Sequence, residues 1–65
     1  MNIYILEVET NDDWFYMPFS TAEKAAEFII NNFEQDKPKK VTNELYEGKN
    51  NKYVIREQMI DQVRL

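Results

Sequence analysis

Two alternating runs flanking a four-residue turn limit this chain more than any other feature. In Asn2 to Val8, the residues Tyr4, Leu6 and Val8 alternate with Ile3, Ile5 and Glu7. In Trp14 to Phe19 three large aromatics stand in succession. Period-two patterning rich in β-branched and aromatic residues predicts strands. Thr10-Asn11-Asp12-Asp13 between them is turn chemistry, because Asn and Asp tolerate αL and bond their own backbone. A turn centred on Asn11-Asp12 sets Val8 opposite Phe15, Leu6 opposite Met17 and Tyr4 opposite Phe19. The other face then carries Glu9 with Trp14, Glu7 with Tyr16, and Ile5 with Pro18. One face is wholly apolar, as a fixed register requires.

The helix follows. Ser20-Thr21-Ala22-Glu23 fits a capping box with Ser20 as N-cap. Ala22, Ala25, Ala26, Ile29, Ile30 and Phe33 then recur at helical spacing and predict one apolar stripe, with Phe28 well off its centre. Pro38 ends the segment. Val41 to Glu47 reads as a third strand, Gly48 to Lys52 as a loop and Tyr53 to Ile60 as a fourth strand. A five-residue connection pairs Leu45 with Ile55 and Val41 with Met59 on the core face, and sets Glu44 opposite Arg56 outside. Met59, Ile60 and Val63 also fit a short C-terminal helix, which leaves residues 59–65 open between strand, helix and disorder. The expectation is a single α+β domain over residues 1–65. It is a β-β-α-β-β antiparallel-type sheet with one helix packed on one face. Strands two and three, if paired across the helix, would run parallel through a right-handed crossover.

Composition excludes much. A domain of 65 residues buries only about 60% of its unfolded surface. Disulfides, thiolate metal sites and histidine ligands are all missing, since the chain has no Cys and no His. No glycine-rich phosphate loop can be built on a single glycine, Gly48. Asp12-Asp13 lies at a hairpin tip where solvent keeps both carboxylates ionised. Asn11, Asp12 and Asp13 lack the alternate spacing of a calcium loop. A non-enzymatic protein without metal or cofactor is expected. No stretch is long and apolar enough to span a bilayer, and Met1 to Leu6 carries no basic residue, so a cytoplasmic protein without a membrane partner is expected.

A strand containing Trp14, Phe15 and Tyr16 must show large aromatics on both faces, and one helix covers only one. Trp14, Tyr16, Ile3 and Ile5 are therefore expected on an uncovered face, ringed by Glu7, Glu9 and Asp12. Exposed apolar area of that kind marks interaction surfaces, and Trp and Tyr dominate binding energetics. With a net charge of −4, the function expected is a small acidic protein-interaction module, regulatory or inhibitory, with a basic protein as partner. Its make-up is of the kind common among phage and mobile-element accessory proteins. A homodimer through the same face is a further expectation. The alternative is a single-stranded nucleic-acid binder that stacks bases on the strand aromatics and reaches phosphates with the Lys37-Pro38-Lys39-Lys40 cluster.

Overall fold

The computed structural model describes residues 2–59. β1 (Asn2–Glu9) and β2 (Trp14–Phe19) form a hairpin that leads into α1 (Ala22–Asn32). A 3₁₀ turn at Glu34–Asp36 precedes β3 (Lys39–Lys40), β4 (Leu45–Glu47) and β5 (Lys52–Met59). The five strands make one antiparallel sheet in the order β2-β1-β5-β4-β3. With α1 packed on one of its faces, this is the α+β arrangement the sequence leads one to expect, with one extra short strand.

The first hairpin adopts the expected register in all its pairs, from Tyr4↔Phe19 to Glu9↔Trp14. Thr10 locks the turn. Its N–H donates to the Asp13 carbonyl at 2.7 Å, and its Oγ accepts from the N–H groups of Asp12 and Asp13 at 3.3 and 3.0 Å.

The rest of the sheet differs from expectation in order and register. β2 and β3 do not pair in parallel; they form opposite edges. β5 instead lies along the whole of β1, from Asn2↔Met59 to Glu9↔Lys52. The physical reason is in β1 itself, where Ile3 and Ile5 on one face and Leu6 and Val8 on the other suit a central strand. In the second hairpin Leu45 faces Val54, Tyr46 faces Tyr53 and Glu47 faces Lys52. This is one residue away from the expected Leu45–Ile55 pairing, and Glu44–Arg56 is not formed. A one-residue slip exchanges the faces of the strand: Tyr46 enters the core, and Leu45 turns to the helix-free side. Val41 lies in the β3–β4 turn, where its N–H donates to the Leu45 carbonyl at 2.8 Å, and is not paired with Met59. Met59 ends β5, and the expectations for Ile60 and Val63 fall outside the described residues.

Thr21, not Ser20, caps α1. Its extended backbone (φ −140°, ψ 157°) directs Oγ to accept from the Lys24 N–H at 3.1 Å, so the Ser20–Glu23 box is not made. Ser20 is taken up in leaving β2, which ends at Phe19. The core comprises Leu6, Val8, Ala25, Ile29, Tyr46, Tyr53 and Ile55. The helix stripe is rotated from its expected centre: Ile30 is 53% exposed, and Phe28 packs against the core. A file of rings explains the rotation. Phe28 sits 5.4 Å from Phe19 and 6.1 Å from Phe33, which in turn is 5.0 Å from Tyr53. Burying a phenyl ring removes more apolar area from water than burying the Ile30 side chain would.

Candidate protein-interaction face

Alternation along paired strands assigns each residue of the helix-free face. β2 contributes Trp14, Tyr16 and Pro18, and β1 contributes Ile3, Ile5, Glu7 and Glu9. β5 adds Val54 and Arg56, and β4 adds Leu45. The expected site residues Trp14, Tyr16, Ile3, Ile5, Glu7 and Glu9 thus share one surface, and Asp12 is exposed in the turn at its end. Trp14 is 48% exposed and Tyr16 is 56% exposed, with ring centroids 5.7 Å apart and planes tilted by 50°. Ile3, Ile5, Leu45 and Val54 are half-buried beside them. Phe15, expected inside, is 38% exposed although it shares the helix side with Met17 and Phe19; α1 meets β2 at its other end, where Phe28 packs on Phe19.

One ion pair forms on this face, and a second set of opposite charges stands across the ladder. The Arg56 Nε lies 3.2 Å from Glu7 Oε1, and Glu9 stands opposite Lys52. An ion pair with a guanidinium this exposed contributes at most about 1 kcal/mol. Its consequence is electrical: the expected acidic rim is largely balanced within the sheet. Arg56 is expected on the outer side of the second hairpin and Leu45 on its core face, but the sequence places neither them nor Val54 on the candidate surface, because that depends on β5 joining β1 and on the shifted second hairpin.

The outer strands β2 and β3 offer a further strand little to pair with. The Thr10–Asp13 backbone bond fixes the alternation of the β1–β2 ladder, which turns the N–H groups of Trp14 and Tyr16 outward. The Trp14 N–H is already bound, donating to Asp13 Oδ1 at 2.8 Å. Pro18 has no N–H to offer. On the opposite side, β3 is two lysines long, and short lysine-bearing edges resist pairing. β5 beyond Val54 pairs only with β1 among the described residues, so its far end keeps an open edge.

The other unusual cluster lies on the helix side. Asp36 is buried, and its carboxylate accepts from the Tyr53 hydroxyl at 2.7 Å, the Asn50 N–H at 2.7 Å and the Asn51 N–H at 3.3 Å. Burial pushes the Asp36 carboxyl up, but the Tyr53, Asn50 and Asn51 donors outweigh it and leave it below the usual 3.8. Burial and the neighbouring carboxylate push Tyr53 up to about 12. Each group is thus held more firmly in the protonation state it already has at neutral pH, the opposite of an acid–base pair poised to exchange protons. The cluster is a structural staple between the end of α1 and the β4–β5 turn.

No helix among the described residues is long and apolar enough to cross a membrane. Comparison with protein-family models, curated proteins and solved structures gives no match.

Proposed function

We propose that this protein is a small acidic interaction module, regulatory or inhibitory in kind, that binds a protein partner through the helix-free face of its sheet. The observation that carries the reading is the exposed Trp14–Tyr16 pair, set among Ile3, Ile5, Leu45 and Val54. Rigid amphipathic rings over half-buried aliphatics are the usual anchors of interfaces. Because Glu7 and Glu9 face Arg56 and Lys52, a partner surface with apolar pockets for the two rings suits this face better than a merely basic one. Asp12, out in the turn, is left to steer the encounter.

The single-strand nucleic-acid reading fares less well. Its aromatics and its lysines stand on opposite edges, four strand spacings or about 19 Å apart. The row between Trp14 and Lys39 runs Glu9, Lys52 and Glu47, so its two carboxylates outnumber its one ammonium along the path of a phosphate backbone.

A photo-crosslinking residue at position 16, compared with one at position 27 on the outside of α1, tests the proposal in the native host. A discrete adduct from position 16 only, lost on Trp14→Ala, is expected. The adduct's partner should then bind wild-type protein and lose roughly 2 kcal/mol or more of affinity to Trp14→Ala. Equal adducts from both positions, or a Trp14→Ala variant that binds as tightly as wild type, would overturn it.

A further inference from the structure

We propose that the corner of the sheet where Lys37, Lys39 and Lys49 converge is a binding site for a compact phosphate ester. The three side chains come from two segments and meet around an open concavity of about 420 Å³, lined also by Val41, Glu47 and Gly48. Backbone contacts fix their convergence. Lys37 directly follows Asp36 and is held in the left-handed region at φ 52°, its N–H donating to the Glu34 carbonyl at 3.1 Å. Lys49 donates its N–H to the Asp36 carbonyl at 2.9 Å. Lys39 stands opposite Glu47 in the β3–β4 ladder.

Among the described residues the one ion pair is Glu7 with Arg56, so no described carboxylate lies within salt-bridge distance of these ammonium groups. Three ammonium groups stand among two carboxylates, Glu47 and the Asp36 group that packs against Gly48 and is already held by Tyr53, Asn50 and Asn51, and the remaining positive charge attracts an anion. Lysines serve phosphate as mobile point charges, and their methylene stems form apolar wall. Together with Val41, which is 53% exposed, those stems offer contact to the organic part of an ester. The ligand is compact rather than polymeric, because a net charge of −4 repels a long polyanion over the rest of the surface. This site lies at the far edge from Trp14 and stands or falls independently of the interaction face.

Amide chemical shifts, followed at constant ionic strength during titration with a nucleoside diphosphate, inorganic pyrophosphate or a single-stranded oligonucleotide, decide the matter. The nucleoside diphosphate should shift Lys37 and Gly48 to Asn51 saturably and bind more tightly than pyrophosphate. Lys37→Gln and Lys49→Gln should each weaken it about threefold and the pair about tenfold, with Lys24→Gln on α1 without effect. Shifts that fail to saturate, or that persist in the double variant, overturn the site. Pyrophosphate binding as tightly as the ester, or the oligonucleotide binding more tightly, overturns the assignment of a compact ester.

Discussion

The Tyr53 hydroxyl donates to Asp36 Oδ2 at 2.7 Å, joining β5 to the turn after α1 across 17 residues of chain. Asp36 also gathers the N–H groups of Asn50 and Asn51, so one carboxylate sets the shape of the β4–β5 turn and thereby the register of β4. Tyr53→Phe keeps the ring in the core but removes a hydrogen bond to a charged group. It should cost about 1.5–3 kcal/mol in urea unfolding. Asp36→Ala should cost more than Tyr53→Phe, because it leaves the hydroxyl and two turn N–H groups without their acceptor. Equal losses would mean that the turn amides contribute nothing.

The same pair makes stability depend on pH at both extremes. The folded Asp36 carboxyl lies below its ordinary 3.8, so its stabilisation is fully present above that value and is lost as pH falls through the folded pKa. Tyr53 moves from 10.0 to about 12, so its contribution is fully present below 10.0 and is lost as pH rises toward about 12. Thermal melts across pH should therefore show a plateau around neutrality with a fall on each side. Asp36→Asn should flatten the acid limb, and Tyr53→Phe the alkaline one. An unchanged acid limb in Asp36→Asn would assign that fall to other carboxylates.

Gly48 is required for space rather than for backbone freedom. Its φ is not positive, but a Cβ there would run into the Asp36 carboxylate. Gly48→Ala should therefore cost about 1–3 kcal/mol by overpacking. In an Asp36→Ala background the carboxylate is gone, and the cost should fall to what the Asp36 carbonyl oxygen, 2.9 Å from such a Cβ, still imposes. Additive losses in this double-mutant cycle would refute the clash.

The helix offers a sharper check of phase. Ile29 is fully buried and Ile30 is 53% exposed, although both belong to the stripe at i, i+3, i+4 spacing. Ile29→Ala should cost about 2–5 kcal/mol, and Ile30→Ala about 0.5 kcal/mol or less. If the two melt alike, the helix is rotated from the packing described.

What was legible followed from local rules. The β1–β2 register was, because a two-residue turn and strict alternation admit one pairing that sorts Tyr4, Leu6 and Val8 onto one face. The helix was, within one residue of its cap. The pairing of β1 with β5 was not, since Asn2 and Met59 are joined by no turn and many registers suit a strand apolar on both sides. The slip in the second hairpin stayed hidden for a related reason. Its register depends on Asp36, which in sequence is one acidic residue among polar neighbours, and nothing local distinguishes a carboxylate that will be buried. The candidate face was half legible: Trp14, Tyr16, Ile3 and Ile5 follow from the first hairpin, whereas Leu45, Val54 and Arg56 join only through β5.

Trp14 allows folding and recognition to be separated, because it is the chain's one tryptophan and so a spectroscopic reporter of the proposed face. At 48% exposure on an edge strand, with its backbone N–H held by its neighbour Asp13, its indole takes no part in the core. Trp14→Ala should melt within about 0.5 kcal/mol of wild type. Wild-type fluorescence should be solvent-like and open to quenching by acrylamide. Dilution separates a second copy of this chain from a different partner. If the face closes on itself, emission shifts to the blue and the melting temperature rises as protein concentration increases. If it awaits another protein, both stay constant on dilution, and the blue shift comes only when the crosslinked partner is added. A tryptophan already shielded in dilute, monomeric protein would place the indole in the fold, and the interaction face would lose its anchor.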